Sequence, residues 1–178
     1  MPRFIVLLRG VNVGKGRRVP MAGFKALLEQ LGYANVKTLL NSGNAAFDSS
    51  IRSAARHSVA IAASLQEQLG VATLTIVKSA AEMSAIVGGN PMLPTEGESS
   101  RSFVAFAADP AALQGLAALQ SLLQPSEHLA ITPQAAYLHC PDGILQSRVG
   151  AAMLGKVGQG ITTRNWATVL KLAALAGS

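Results

Sequence analysis

The order of the apolar runs constrains the fold of this chain more than any other feature, because it predicts nearly the same series of elements twice. In the first half, the runs at residues 4–8, 36–40, 45–48 and 73–77 predict strands. Apolar residues at helical spacing after Pro20 predict a helix that Gly32 ends. Ser49 or Ser50 caps a longer predicted helix that runs to about Leu69. The resulting order, β-α-β-β-α-β, is that of a ferredoxin-like domain.

The second half repeats most of this order. Strands are predicted at residues 102–107, 128–132 and 136–140, and helices at 80–87, 110–123 and 145–154. Asp109 and Pro110 supply the cap and first turn of the second of these helices. No closing strand is evident in residues 156–163, and a final helix is predicted from about Thr163 to Ala176.

Residues 88–101, between the two halves, are rich in Gly, Pro, Ser and Glu, which predicts a linker or a flap. We therefore predict an α+β chain of two ferredoxin-like subdomains packed together, each an antiparallel sheet with helices on one face. The predicted bounds are 1–87 for the first subdomain and 102–178 for the second, which includes the C-terminal helix.

Length and composition narrow the class of protein. A chain of 178 residues buries roughly 70% of its unfolded surface, which suffices for a core without disulfide support. The single cysteine, Cys140, excludes an internal disulfide and fits a reducing compartment. The first apolar run is shorter than the ~7–15 residues of a signal-peptide core, and no run approaches ~18 apolar residues. We therefore expect a cytoplasmic protein that does not associate with a membrane.

The positive charge is concentrated near the two ends of the sequence. Residues 1–37 contain seven Lys and Arg against one acidic residue, and residues 148–178 contain four against none. Residues 38–147 contain four Lys and Arg against eight acidic residues. If folding brings the two ends together, they form one positive surface that attracts phosphates or nucleic acids.

The densest cluster of cations lies in residues 8–18, which read LRGVNVGKGRR and connect the first predicted strand to the first helix. The segment differs from a P-loop, since three residues separate Gly10 from Gly14 and Gly16 occupies the position of the Mg²⁺-binding Ser or Thr. Exposed backbone N–H groups beside cations form a nest for an anion. A second interpretation is a structural turn in which the Asn12 side chain satisfies neighbouring backbone groups.

A second polar segment, TTRNW, opens the final predicted helix. Thr162 or Thr163 is expected to cap this helix, and Arg164 beside its N-terminus is a second candidate anion contact. Helix capping alone also explains these residues. Trp166, the only tryptophan, is interpreted as a core residue.

Other catalytic chemistries have little support. Ser42 lacks the Gly-x-Ser-x-Gly context of an activated nucleophile, and tight-turn chemistry explains it better. His139 and Cys140 are neighbours on a predicted strand and point to opposite faces, so a shared metal ion is disfavoured. His57 and His128 are interpreted as surface or satisfied polar residues. We predict no metal site and assign no cofactor.

Several motifs together resemble a known family. They are LRGVNVG at residues 8–14, Pro20-Met21, SGN at 42–44, YLHCPDG at 137–143, and TTRNW at 162–166 followed by TVLKL at 168–172. On these motifs the chain resembles the bacterial domain-of-unknown-function family sixteen ninety-seven over nearly its whole length. The resemblance implies a pair of ferredoxin-like subdomains and no reaction, substrate or partner. Lys15 stands where members usually have a second glycine, and Val11 where they often have isoleucine.

The functional hypothesis is a binding protein whose basic face recognises a phosphorylated ligand or nucleic acid. The predicted ligand-binding residues are Arg9, Gly10, Asn12, Gly14, Lys15, Arg17, Arg18, Ser42, Asn44, Arg164 and Asn165. One alternative is a small enzyme in which Arg9 and Arg164 hold an anionic substrate while Asn44 or His139 takes part in the chemistry. Another is that the motifs only lock the two halves together. The sequence predicts no oligomeric state.

Overall fold

The computed structural model describes residues 1–178, which form two compact units. Unit 1 comprises Met1–Ser84 and Leu172–Ser178, and unit 2 comprises Ala85–Lys171. Each unit contains a four-stranded antiparallel sheet with the strand order of a ferredoxin-like domain. The predicted α+β class is therefore confirmed. No helix combines the length and apolar character needed to cross a membrane.

Unit 1 follows the predicted β-α-β-β-α-β order. Its elements are β1 (Arg3–Leu8), α1 (Met21–Gln30), β2 (Ala34–Leu39), β3 (Asn44–Asp48), α2 (Ala54–Leu69) and β4 (Thr75–Ser79). The sheet order is β2-β3-β1-β4, so β1 lies between β3 and β4. The next helix, α3 (Ala80–Gly88), contains the boundary between the two units.

The core of unit 1 is built on alternate residues of β1. Phe4, Val6 and Leu8 are buried and pack in one cluster with Phe24 and other residues of α1. Alternate side chains of a strand point to one face, which explains why these three residues share a cluster. This burial fixes the position of β1 and of the loop that follows it.

An aromatic group around Phe47 fills the same core. Its ring stacks on Tyr33 at 4.2 Å between centroids and on Phe4 at 5.6 Å, and contacts His57 edge-on at 5.2 Å. His57 is fully buried, with Nε2 2.8 Å from the Ile51 carbonyl oxygen and Nδ1 2.9 Å from the Tyr33 hydroxyl. A carbonyl only accepts, so Nε2 donates to it, and Nδ1 of the neutral ring then accepts from the Tyr33 hydroxyl. The interpretation of His57 as a satisfied polar residue is confirmed.

Unit 2 repeats the topology with shorter helices. Its strands are β5 (Ser102–Ala107), β6 (His128–Ile131), β7 (Ala136–His139) and β8 (Ile161–Asn165), in the order β6-β7-β5-β8. The helices are α4 (Pro110–Gln114), α5 (Arg148–Leu154) and the first part of α6 (Trp166–Ala176), with 3-10 helices at Gly115–Leu122 and Lys156–Gly158. As predicted, Asp109 caps α4, since its carboxylate accepts from the backbone N–H of Ala111 at 2.9 Å.

Three local predictions are wrong. The cap of α2 is Ser53, whose hydroxyl accepts from the Arg56 N–H, rather than Ser49 or Ser50. The Ser49 hydroxyl instead accepts from the N–H of Ile51, which lies before the helix. The missing closing strand exists as β8, and the final helix accordingly begins at Trp166 rather than Thr163.

The reason for the missed strand lies in the composition of β8. Its sequence, ITTRN, contains one apolar residue, so no apolar run marks it. The strand forms because it pairs with β5 along its whole length, from Ile161 opposite Ala107 to Asn165 opposite Phe103. Thr162 and Thr163 are therefore strand residues, and the Asn165 side chain accepts from the Thr168 N–H at 2.9 Å at the start of α6.

The compact units differ from the predicted subdomain bounds at two places. Residues 85–101, which comprise the end of the predicted first subdomain and the predicted linker, belong to unit 2, and Leu172–Ser178 belongs to unit 1. A hydrogen bond explains why Leu172–Ser178 groups with unit 1: the Arg3 guanidinium donates to the backbone carbonyl of Leu175. The last part of α6 thus completes a unit that begins at the other end of the sequence.

Asp48 makes the stability of unit 1 depend on pH. Burial opposes ionisation of this carboxyl, but hydrogen bonds from Asn35 at 2.7 Å and Arg3 at 2.8 Å, with the Arg3 charge, lower its pKa overall. A lowered pKa in the folded state gives stability that is present above the unfolded pKa and lost as pH falls through the folded pKa. We expect Asp48→Asn to have a lower free energy of unfolding than the natural chain near neutral pH. Its free energy of unfolding should also fall less as the pH is lowered, because the variant lacks this carboxyl group.

The measurement is urea unfolding of the natural chain and of Asp48→Asn at a series of pH values. Glu67→Gln is the matched control, since Glu67 is exposed and takes part in none of the four ion pairs. Equal changes of unfolding free energy with pH in the natural chain and in Asp48→Asn would contradict the prediction.

Candidate functional site

The glycine-rich loop after β1 takes its shape from Asn12. The backbone of this residue is left-handed, with φ of 58°, as are Gly10 at 62° and Gly14 at 54°. The Asn12 side-chain amide donates to the carbonyls of Val19 at 2.8 Å and Asn41 at 2.7 Å, and its oxygen accepts from the Val19 N–H at 2.9 Å. The side chain therefore holds the loop closed, as the structural interpretation predicts.

The cations of this loop lie on its outside. Lys15, Arg17 and Arg18 are exposed, and none of them belongs to the four ion pairs of the chain. Arg18 donates to the carbonyl of Gly14. Burial, with a smaller contribution from the charge of Arg17, lowers the pKa of Arg9.

The turn between β2 and β3 packs against the same loop. Asn44 is fully buried and donates to the Leu39 carbonyl at 3.1 Å and to the Ser42 hydroxyl at 2.9 Å. A Cβ on Gly43 would lie 2.7 Å from side-chain atoms of both Leu8 and Val11, so only glycine fits there. The structure thus brings the loop and the turn together, and it uses Asn44 to hold the turn.

Arg164 and Asn165 lie in unit 2 and have different surroundings from those predicted. Arg164 is a buried residue of β8 that donates to the Thr162 hydroxyl and the Thr163 carbonyl, both at 2.8 Å. Burial lowers the pKa of Arg164 to about 10. Thr162 and Thr163 do not cap the final helix as predicted, because α6 begins at Trp166, after Arg164. That Arg164 and Asn165 contact an anion stays a prediction. That the two cationic ends share one face stays a prediction.

Unit 2 contains a cavity of about 560 Å³ that the sequence does not indicate. Its lining residues come from the segment after α3 and from one end of the sheet: Met92, Leu93, Pro94, Thr95, Glu98, Ser102, His128, His139 and Pro141. Ligand pockets of this size are typically apolar with a few placed polar groups. Four of the nine residues that line this cavity are apolar, and the other five carry polar side chains.

The polar groups of the cavity form a row across three strands. Ser102 on β5 and His128 on β6 are both directly opposite His139 on β7. The Ser102 hydroxyl lies 3.3 Å from His139 Nδ1, and Nε2 of the same ring lies 3.8 Å from a carboxylate oxygen of Glu98. The two imidazole rings are nearly parallel, with centroids 6.4 Å apart. This arrangement places a hydroxyl, a base and a carboxylate side by side.

Sequence reasoning missed Ser102 and Glu98 and interpreted His128 as a surface or satisfied polar residue, and His128 is indeed exposed. The two strands 102–107 and 136–140 were predicted correctly, but their register was not, and only the register places Ser102 opposite His139. Neighbouring His139 and Cys140 do point to opposite faces, since His139 lines the cavity and Cys140 lies in the core.

The Cys140 thiol is not activated as a nucleophile. Burial, with the charge of Glu127 nearby, raises the pKa of the Cys140 thiol to about 11, which leaves little thiolate at neutral pH. No group of three or more His, Cys, Asp or Glu side chains is arranged to hold a metal ion.

Comparison with known proteins establishes the family. Residues 1–137 match the sequence model of a family described as protein of unknown function (DUF1697). The chain belongs to the DUF1697 family. The resemblance drawn from the sequence motifs is therefore confirmed. A search of the curated proteins found no match.

A solved structure supports the same fold. The DUF1697 chain is similar to the conserved bacterial protein SP0830 from Streptococcus pneumoniae, with a TM-score of 0.80 and 23% sequence identity. The alignment covers 98% of both chains. At this level of identity the similarity shows a shared fold.

Proposed function

We propose that this DUF1697 protein binds a phosphate-bearing ligand at the glycine-rich loop of unit 1. The observation that carries the proposal is the exposed group of Lys15, Arg17 and Arg18 on a loop whose shape is fixed from inside by Asn12. Because the loop is already ordered, little conformational entropy is lost when a ligand binds.

Charge favours a multiply charged anion. No acidic residue precedes Glu29 in the sequence, and the charge of Arg17 contributes to the lowered pKa of Arg9. Guanidinium groups bind phosphate oxygens through paired hydrogen bonds, and left-handed glycines leave backbone N–H groups open to an anion. Asn12 and Asn44 act in this proposal as positioning residues, since their side chains bond to the loop and the turn.

The feature that defines the ligand is its phosphate, which a small phosphorylated molecule and a nucleic acid share. We expect the natural full-length chain to bind pyrophosphate or a labelled single-stranded oligonucleotide. A variant combining Lys15→Ala, Arg17→Ala and Arg18→Ala is expected to bind at least about tenfold more weakly, because each lost charged hydrogen bond weakens binding by ~1.5–3 kcal/mol. Titration calorimetry measures the first probe and fluorescence anisotropy the second.

A matched control combines Lys37→Ala, Arg52→Ala and Arg56→Ala, which removes three exposed cations from other parts of unit 1. It should bind like the natural chain. Saturable pyrophosphate binding without tighter oligonucleotide binding indicates a small ligand. Oligonucleotide binding alone indicates a nucleic acid. In that case, the slope of log binding constant against log salt concentration should be smaller by about two in the variant that lacks Lys15, Arg17 and Arg18 than in the natural chain. Equal binding by both variants, or binding of neither probe, refutes the proposal.

A further inference from the structure

The cavity of unit 2 holds a second set of groups that the phosphate-binding proposal does not use. We propose that it is an acyl-transfer site in which Ser102 is the nucleophile, His139 the general base and Glu98 the residue that orients His139. The substrate class is a small carboxylic ester with a short apolar acyl group.

The first step of the argument is the pairing of Ser102 with His139. The hydroxyl lies 3.3 Å from Nδ1, which is within hydrogen-bond reach, and a base in such contact removes the hydroxyl proton as the oxygen attacks. Direct cross-strand pairing of β5 and β7 fixes both backbones, so the two side chains stay adjacent. A nucleophile held by two central strands is positioned more firmly than one on a loop.

The second step is the orientation of His139. Its Nε2 lies 3.8 Å from a Glu98 carboxylate oxygen, which is ion-pair distance and longer than a hydrogen bond. The carboxylate favours the tautomer with the proton on Nε2, which leaves Nδ1 free to accept from Ser102. It also stabilises the imidazolium that forms when the proton is transferred. Contacts of this kind commonly shorten when substrate binds.

The third step concerns the residues that line the cavity around Ser102 and His139. The side chains of Met92, Leu93, Pro94 and Pro141 give the cavity apolar walls that suit an apolar acyl group. Thr95 and His128 line the same space and can donate hydrogen bonds to a carbonyl oxygen. Ser102 itself is only 6% exposed, so its reactive oxygen is largely shielded from bulk solvent.

The proposed reaction consumes only the ester and water. Ser102 Oγ forms a bond to the ester carbonyl carbon while its proton passes to His139 Nδ1. The bond from that carbon to the alkoxy oxygen breaks, and the alcohol leaves with the proton from His139. Water then attacks the acyl-serine with His139 again as base, which releases the carboxylic acid and restores Ser102.

The test labels the natural full-length chain with a fluorophosphonate and maps the adduct by mass spectrometry. We expect one adduct, on Ser102, together with hydrolysis of 4-nitrophenyl acetate and 4-nitrophenyl butyrate. Mapping needs no variant, so it remains decisive if a substitution impairs folding. An adduct on any other residue, or no adduct, overturns the proposal.

Variants then separate the roles. Ser102→Ala should lose the adduct and hydrolyse the esters at least about 100-fold more slowly, since general-base catalysis of a nucleophile contributes ~10²–10⁴. His139→Gln should slow labelling of the intact Ser102 by a similar factor, and Glu98→Gln by a smaller one. Ser126→Ala, which changes an exposed serine outside the cavity, should match the natural chain. Unchanged labelling of Ser102 in His139→Gln would show that the serine is not activated by this base and overturns the mechanism.

Discussion

Gly158→Ala is expected to unfold unit 2 or destabilise it by about 3 kcal/mol or more, beyond the usual cost of overpacking. A Cβ at this buried residue would lie 1.7 Å from the carbonyl oxygen of Met153 and 2.6 Å from its carbonyl carbon. Both atoms belong to the backbone of α5, so they cannot move aside as the end of a side chain would. Helix α5 or the following 3-10 helix must shift.

Urea unfolding followed by Trp166 fluorescence measures this effect, because the only tryptophan is buried in unit 2. Gly115→Ala is the control: Gly115 has φ of −59°, and an added Cβ there meets no atom within 4 Å. That variant should be as stable as the natural chain or slightly more so, because alanine restricts the unfolded state. An unfolding midpoint of Gly158→Ala equal to that of the control would show that α5 accommodates the methyl group.

Phe47→Ala is expected to destabilise unit 1 by about 3–5 kcal/mol, the usual cost of removing a buried phenylalanine ring. Phe47 is fully buried, and its ring contacts Tyr33, Phe4 and His57 at once. The loss leaves a cavity at the centre of the aromatic group, and the pairing of Phe47 opposite Phe4 across β3 and β1 limits collapse around it.

Circular dichroism during urea unfolding gives the free energy for this variant. Val59→Ala removes an apolar side chain that is 72% exposed on α2 and should change stability by less than about 0.5 kcal/mol. A loss below about 1 kcal/mol in Phe47→Ala would mean that the remaining rings close the gap, contrary to the packing described here.

The fold was largely predictable because its strands are marked by apolar runs. The predicted strand at 102–107 coincides with β5, and the strands at 45–48 and 136–140 differ from β3 and β7 by one residue at one end. β8 was missed because Thr162, Thr163 and Arg164 occupy most of it, and pairing with β5 alone makes it a strand. Local composition does not contain that information.

The candidate sites likewise combine features that the sequence indicates with features that only the structure shows. The cationic loop was predicted from the sequence, since charge and glycine content are local properties. The structural role of Asn12 depends on its contacts with Val19 and Asn41. The sequence does not show these contacts, so it left both the anion nest and the structural turn open as interpretations of this loop. The polar row in the cavity of unit 2 brings together Glu98 and His139, which are 41 positions apart, and Ser102 through a strand register that local patterns do not specify.

The assignment of Leu172–Ser178 to unit 1 has a consequence for synthesis in the cell. The ribosome delivers Met1–Ser84 first, yet the Leu175 carbonyl that accepts from Arg3 emerges only after all of unit 2 has been made. All four strands of the first sheet are therefore translated before unit 2, whereas the segment of α6 that belongs to unit 1 is translated after it.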